Sequence, residues 1–393
     1  MSLTEVEIIG LRSIRSIRFP LRRLTVLVGA NGVGKTNLYR SLELLHAAAK
    51  GTLAEEIARE GGLGSVFWAG GKNLSEDGSF DPKYRTDGFR KVEKNRLMLR
   101  ARLDGLGDEA SLEMSYRIEL GFPQKRVAAA FELEAQVKSE LLTLDGGKKP
   151  IVLMEREKPA LWARDVEGNR QQLDNAIFAS ETALSSLRGA FPEIDAVRYA
   201  MSNWRFFHGF RTDRDSPLRQ PAPAVTAPML ASDGSNLAAV FATLAHIKED
   251  MTDVDTTIAE AFPGAQLVVE EPHTHASIGM RYPDTPKRVY RAHELSDGTL
   301  QFLALMGALL AYRLPPFIAL NEPETSLHPS LLPVLARIIA KAAERTQIWV
   351  VTHSQVLADA IADESGVTPR TVIRRDGGTW LEGLSNFGTF EDD

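Results

Sequence analysis

Apolar and polar residues alternate from Val6 to Phe19, a period of two that predicts a strand hairpin. Leu24-Thr25-Val26-Leu27-Val28 is instead a short, nearly continuous apolar run, the pattern of a buried strand. From Thr36 to about Lys50 the sequence reads as a helix, and a polar, glycine-rich stretch follows to Gly88. Alternation returns over Arg96–Leu103 and Ser111–Leu120 and continues in Val127–Leu133, Ile151–Glu155 and Leu161–Asp165, which predicts an antiparallel meander. Asn175–Leu187, Asn236–Ile247 and Val254–Phe262 read as helices, and Gln266–Glu270 as a strand followed by hairpin-like sequence to Ala292. Arg205–Pro228, rich in Arg and Pro and without a period, reads as an ordered loop or a hinge between lobes. The last third differs in kind. Helices alternate there with buried strands, as in a parallel sheet covered by helices, and Arg370–Leu381 closes the pattern with a hairpin turning through Asp376-Gly377-Gly378.

Chemistry enters with Gly29-Ala30-Asn31-Gly32-Val33-Gly34-Lys35-Thr36, which fits the phosphate-loop spacing G-x-x-x-x-G-K-[ST]. Glycines let successive backbone N–H groups turn inward around a phosphate chain. Lys35 supplies a point charge for the outer phosphates, and the Thr36 hydroxyl suits a Mg²⁺ ion. A buried strand before the loop and a helix after it form the expected setting, with the positive end of the helix facing the phosphates.

Composition narrows the classes. The chain has 393 residues, enough for one large α/β domain or two smaller ones. Its net charge of −6 gives no global attraction to nucleic acid, so any such contact needs a local basic patch. Cysteine is absent, which excludes disulfides, thiolate metal sites and cysteine catalysis and is compatible with a reducing cytoplasm. No apolar run reaches membrane-spanning length and no apolar leader opens the chain, so we expect a cytoplasmic protein without a membrane.

Three further elements lie in the last third. Leu295-Ser296-Asp297-Gly298-Thr299-Leu300-Gln301 is a Ser-x-Gly turn opening an apolar helix. Phe317-Ile318-Ala319-Leu320-Asn321-Glu322-Pro323-Glu324 is a buried strand ending in acidic residues. Ile348-Trp349-Val350-Val351-Thr352-His353-Ser354 is another, with a histidine at its carboxyl end. Ligands of open α/β sheets bind at carboxyl ends of strands, so all three should converge on the rim that carries Lys35.

This set, in this order, resembles the ATP-binding cassette ATPase heads of the RecF, SMC and OLD-type group. The resemblance implies a P-loop NTPase fold: a mixed, largely parallel core sheet plus an antiparallel, β-rich lobe. It implies one head in two lobes, 1–205 with the phosphate loop and 206–393 with the signature turn and acidic strand end. It implies ATP and Mg²⁺ as cofactors and ATP-dependent homodimerisation. Gly29 to Thr36 would bind ATP, while Ser296 and Gly298 would take the γ-phosphate held by a second head. Glu322 would polarise the attacking water, and His353 would sense the γ-phosphate. Thr36 and Asn321 would serve the metal, and Ser326-Leu327-His328-Pro329 would cross the dimer seam. The process served would be DNA repair or recombination, or defence, with DNA or a nuclease as partner. About 260 residues separate Lys35 from Ser296, too few for SMC-type arms, and about 40 follow His353, too few for an OLD-type nuclease. The expectation is an armless, RecF-like head.

Two positions depart from the family pattern. Asn321 stands where Asp is usual, which points to slow hydrolysis or weaker metal binding, with Glu324 as partial compensation. Asp297 replaces a glycine and adds negative charge near a phosphate. An ATP-gated switch with little turnover, regulating a partner nuclease or another protein, is the alternative function. A transporter subunit is disfavoured by the β-rich middle, and a small-molecule kinase would not need the Ser296 turn.

Other candidates keep two readings. Ser296 is also a helix cap, and His328 either meets the seam or starts a helix before Pro329. Arg12, Arg15 and Arg18 form a solvated strand face or approach the nucleotide. Arg205, Arg211, Arg214 and Arg219, interleaved with Trp204, Phe206, Phe207 and Phe210, grip nucleic acid or pack as a loop whose arginines pair with acids. His273 and His275, near Glu270 and Glu271, read as a solvated loop rather than a metal site. Gln124 and Gln136 are the candidates for a glutamine lid.

Overall fold

The computed structural model describes residues 1–68, 96–105, 113–123, 131, 134–146, 149–174, 177–248, 251–270 and 274–390. In chain order, strands β1 (Ser2–Leu11), β2 (Ile14–Pro20) and β3 (Leu24–Val28) precede helices α1 (Lys35–Lys50), α2 (Leu53–Arg59) and α3 (Leu63–Val66). Six strands come next: β4 (Leu97–Asp104), β5 (Glu113–Gly121), β6 (Gln136–Asp145), β7 (Ile151–Glu157), β8 (Ala160–Arg164) and β9 (Arg170–Gln172). Then come α4 (Ala183–Ser186), α5 (Pro192–Ser202), β10 (Arg205–Phe207), β11 (Ala222–Pro223), α6 (Leu237–Lys248) and α7 (Thr252–Ala261). Strands β12 (Gln266–Glu270), β13 (His275–Arg281) and β14 (Tyr290–Arg291) lead to α8 (Asp297–Leu310). The chain ends with β15 (Phe317–Asn321), α9 (Leu332–Ala343), β16 (Gln347–Thr352), α10 (Gln355–Ser365), β17 (Arg370–Arg375) and β18 (Gly378–Leu381).

These elements fall into two units. The first comprises Met1–Arg22, Ala30–Trp204 and Thr371–Asp393, the second Arg23–Gly29 and Arg205–Arg370. In the first, one antiparallel sheet runs in the order β2-β1-β4-β5-β6-β7-β8-β9. Period two explains it: Leu97, Leu99, Ala101 and Leu103 of β4 are buried, while Met98, Arg100 and Arg102 face the other way. Charges on that outer face pair across strands, Arg18 with Glu5 at 2.7 Å and Arg100 with Glu7 at 3.2 Å. Helix α1 packs against β1, β4 and α5 and stops at Gly51, whose left-handed backbone (φ 81°) lets its N–H reach the last-turn carbonyls. The predicted terminal hairpin is β17–β18.

The helix expected over 175–187 is corrected. Among its described residues, only the four of α4 are helical, started by Thr182, whose side chain accepts the Ser185 N–H. Tertiary groups hold the segment before it. Arg156 donates to the Phe178 and Glu181 carbonyls, and the buried Glu140 carboxylate accepts the N–H groups of Ala183 at 2.6 Å and Leu184 at 3.1 Å. The strand expected over 127–133 lies outside the described residues except for Phe131.

In the second unit β10, β15, β16 and β3 form a parallel sheet in that order, as the alternating last third predicted. Residues of β3 and β16 are all buried, as are those of β15 up to Leu320, which is why these strands read as apolar runs. Helix α8 is buried from Thr299 to Leu310 and packs against α6, α7 and α9, with Phe302 edge-on to Phe262. A small antiparallel sheet, β11-β13-β12 with β14 on β13, completes the unit. Part of the loop expected over 205–228 is therefore strand, in β10 and β11.

Candidate functional site

The loop after β3 has a backbone and charge pattern that could receive an anion. Gly32 and Gly34 have φ of 81° and 105°, left-handed values that glycine adopts without strain. Gly34 is also a place of close approach. A Cβ there would stand 1.9 Å from the Thr379 hydroxyl and 2.6 Å from that of Ser13. Those side chains buttress the loop: Thr379 donates to the Val33 carbonyl at 2.9 Å and contacts Ser13 at 2.6 Å, and Asn37 donates to the Ser13 hydroxyl at 2.7 Å. Lys35 is buried and donates to the Ala30 carbonyl at 2.8 Å, so its ammonium lies over the loop. Ala30, Asn31, Gly32 and Thr36 are exposed. The first turn of α1 contains no acid, which leaves its N-terminal N–H groups electropositive. These groups suit a phosphate chain.

The second unit has a polar rim of its own. Register pairs Val28 with Thr352 and Val351 with Asn321, so Gly29, His353 and Glu322 leave neighbouring strands at one edge of the sheet. Glu322 has φ of 49°, unusual for a non-glycine residue, and its N–H donates to the Val351 carbonyl at 2.7 Å. The Glu322 carboxylate lies 3.8 Å from His353 Nδ1 and is one-third exposed.

Glu324 is the anchor of this rim. Its side chain is buried, and Oε1 accepts from the Thr352 hydroxyl at 2.5 Å, His353 N–H at 3.0 Å and Ser354 N–H at 3.2 Å. The same oxygen stands 3.1 Å from His353 Nδ1. Ser354 then caps α10 by accepting the Leu357 N–H. Asn321 Nδ2 lies 3.3 Å from His208 Nδ1, and Asn321 Oδ1 is buried without a hydrogen-bond partner among the described residues. Such an oxygen fits a water-mediated metal contact.

Ser296 caps α8, its hydroxyl accepting the Thr299 N–H at 3.2 Å. Gly298 packs against the Ser326 carbonyl so closely that a Cβ would come within 2.7 Å of it. The Ser296 turn and the Ser326–Pro329 segment are therefore neighbours in one unit. Ser326 itself has φ of 66°, and His328 caps the short 3₁₀ turn Pro329–Leu331.

Of the residues read from sequence, Ala30 to Thr36 lie in the first unit, and Gly29, Ser296, Gly298, Asn321, Glu322 and His353 in the second. Other candidates have ordinary partners. Arg12 pairs with Glu60, Arg18 with Glu5, and Arg211 with Asp213. Arg219 is half-buried and spends its donors on backbone carbonyls and Asp297, the pairing with acids that the loop reading expected. Gln136 opens β6 and accepts from Lys138. Gln124, Glu271 and His273 lie outside the described residues.

Sequence reasoning missed Ser13, Thr379, His208 and the anchoring role of Glu324. His208 comes directly after the apolar pair Phe206-Phe207, a weak strand-end signal. Ser13 and Thr379 carry none, since their partners are remote in the chain.

Comparison with known proteins agrees with this fold. A family model described as "AAA domain, putative AbiEii toxin, Type IV TA system" matches residues 24–359. The chromosome partition protein Smc of a Synechococcus species is 30% identical over 129 residues, which is 30% of this chain and 11% of that protein. The match thus spans about a tenth of the curated relative's length. Among solved structures, an Smc head bound to the C-terminal winged-helix domain of ScpA is similar, at TM-score 0.56 and 16% identity, covering 98% of this chain and 99% of that one. An Smc head from Pyrococcus furiosus with an extended coiled coil, bound to the C-terminal domain of ScpA, is similar at TM-score 0.53 and 14% identity, covering 98% and 96%. At such identities the likeness is one of fold.

Proposed function

The chain belongs to the AAA-domain family matched above and has the fold of an ABC-type, SMC-like P-loop ATPase, and from that premise we propose that two copies sandwich ATP and hydrolyse it. In this reading Gly29 to Thr36 wrap the phosphates of one chain's ATP, and Lys35 neutralises the outer charge. Ser296 and Gly298 of the second chain close on the γ-phosphate. Glu322 orients the attacking water and accepts its proton, and His353, held by Glu324, contacts the γ-phosphate. Thr36 and the free oxygen of Asn321 would hold Mg²⁺, which supplies charge neutralisation when bound. The observation that carries the reading is the shared sheet edge of Gly29, Glu322 and His353.

Light scattering after size exclusion tests it, with Glu322→Gln in the presence and absence of ATP. A dimer that forms on ATP addition is expected, and a chain that stays monomeric in both conditions overturns the sandwich. Lys35→Ala should abolish nucleotide binding by calorimetry. Retained micromolar affinity would refute the loop assignment.

Asn321 favours a second reading, an ATP-gated dimerisation switch with little turnover that regulates a nuclease or other partner. Steady-state ATPase assays separate the two: a switch gives negligible turnover in both wild type and Glu322→Gln. Service in DNA repair, recombination or defence belongs to the proposal, and the toxin named in the family description favours defence. The Smc heads captured with ScpA support a protein partner. A cytoplasmic location is supported by the finding that, among the described residues, no helix is long and apolar enough to cross a membrane.

A further inference from the structure

We propose that Arg219 is the positioning residue of the Ser296 turn and that its pairing with Asp297 keeps that turn receptive to a phosphate. Arg219 ends the 3₁₀ turn Pro217–Arg219, which Ser216 starts by accepting the Leu218 N–H. Its side chain is only 11% exposed, and its donors are all directed at acceptors of the same unit. Nε donates to the carbonyls of Thr212 at 2.8 Å and Asp213 at 3.2 Å. Nη1 donates to Ala292 and His293 at 3.2 Å and to Leu295 at 2.9 Å, and Nη2 to Asp297 Oδ1 at 2.6 Å.

One guanidinium thus gathers three carbonyls immediately before Ser296 and the carboxylate immediately after it. Only a planar fork with five N–H groups can serve so many acceptors at once. The carbonyls of Ala292 and His293 point the same way in the 3₁₀ turn Ala292–Glu294, and Arg219 ties them to the Leu295 carbonyl beyond it and to the carbonyls of Thr212 and Asp213. Without Arg219 that short turn, which leads into the cap, loses its tie to the rest of the unit and frays.

Charge gives Arg219 its second effect. Asp297 occupies the first turn of α8, beside the hydroxyl and the N–H groups that the proposed function assigns to a second chain's triphosphate. An unpaired carboxylate there would repel that anion. Arg219 supplies the opposite charge in direct contact and cancels it at close range. The inference deepens the proposed function and rests on its assignment of the Ser296 turn.

The test uses the full chain with Arg219→Ala, Arg219→Lys, Asp297→Asn and the Arg219→Ala/Asp297→Asn pair. Amide exchange without nucleotide reads the clamp alone. Arg219→Ala should raise exchange over 292–299 at least tenfold and leave the second half of α8 unchanged, and equal protection overturns the clamp. ATP titration followed by light scattering reads the charge. Arg219→Ala should raise the ATP concentration for half-dimerisation at least tenfold, and adding Asp297→Asn should recover most of it. A purely structural Arg219 would leave those two variants equal, which overturns the charge argument. Should Arg219→Ala fail to fold, Arg219→Lys decides both points: it keeps a charge opposite Asp297 but loses the fork, so exchange should rise while dimerisation stays near wild type. A wild type that never dimerises with ATP sinks the two-chain reading, and the exchange arm still judges the clamp.

Discussion

Glu324→Ala removes the acceptor that ties the end of β16 to the acidic turn after β15. One carboxylate oxygen takes the Thr352 hydroxyl at 2.5 Å and the His353 and Ser354 N–H groups at 3.0 and 3.2 Å. Ser354 N–H keeps a second acceptor, the Thr352 hydroxyl oxygen at 2.9 Å. Two donors, on Thr352 and His353, are therefore left without their acceptor, in a place where Thr352 is fully buried. Each stranded donor costs about 1–3 kcal/mol, so the substitution should cost roughly 2–6 kcal/mol. Glu324→Gln keeps a neutral oxygen in position. It should lose only the charge-assisted part of the bonds, about 1 kcal/mol. Urea unfolding of the full chain measures both, read as the shift in midpoint at constant slope. The reasoning is refuted if Glu324→Ala costs less than about 1 kcal/mol, or if Glu324→Gln costs as much as Glu324→Ala. In the first case the carboxylate anchors nothing, and in the second an acceptor oxygen is not the group that matters.

Two other substitutions and one titration probe the same structure. Gly34→Ala should destabilise the loop by about 2–4 kcal/mol and abolish ATP binding, because the new methyl meets Thr379 and Ser13 as well as a left-handed backbone. Gly32→Ala meets nothing within 4 Å and should cost about 1 kcal/mol, for the backbone alone; equal losses at the two positions in unfolding and calorimetry would contradict the close approach. Burial raises the Glu140 carboxyl above the usual carboxylate range, against the opposing pull of the Ala183 and Leu184 N–H groups, the Tyr116 hydroxyl and Arg156. Between the ordinary and the raised value the folded chain holds a proton that the unfolded chain has released. Its contribution to stability is complete below the ordinary value and is lost as pH rises through the raised one. The urea midpoint of the wild type relative to Glu140→Gln should therefore fall with rising pH over that window, and a constant difference would show that Glu140 titrates normally.

The legible and illegible parts of the site differ in the range of the interactions that make them. Gly32, Gly34 and Lys35 could be read because the backbone turn and the charge both lie within the loop. Strand ends at Glu322 and His353 could be read because a buried parallel strand is a short apolar run with polar residues just beyond it. Glu324 was legible as an acid but not as an anchor. Its burial depends on β15 and β16 lying side by side. Arg219 kept two readings in sequence for the same reason, since an arginine among aromatics looks alike whether it faces solvent or, as here, Asp297 and the carbonyls of residues more than seventy positions away. The 175–187 segment has helical composition, yet Arg156 and Glu140 claim its backbone groups and leave one turn of helix.

By itself, the sequence of this protein determined the two periodicities, the anion loop and the order of the strands that carry the acidic and histidine ends. Those features depend on side-chain spacing and local backbone demand, which act over a few residues. The register that sets Asn321 beside Val351 and Thr352 beside Val28, the buttressing of Gly34 by Ser13 and Thr379, the burial of Glu324 and the hydrogen bonds of Arg219 arise only in the folded chain. Each of these is a hydrogen bond, register or contact between segments distant in the chain, whose energy exists only once packing has excluded water from both partners.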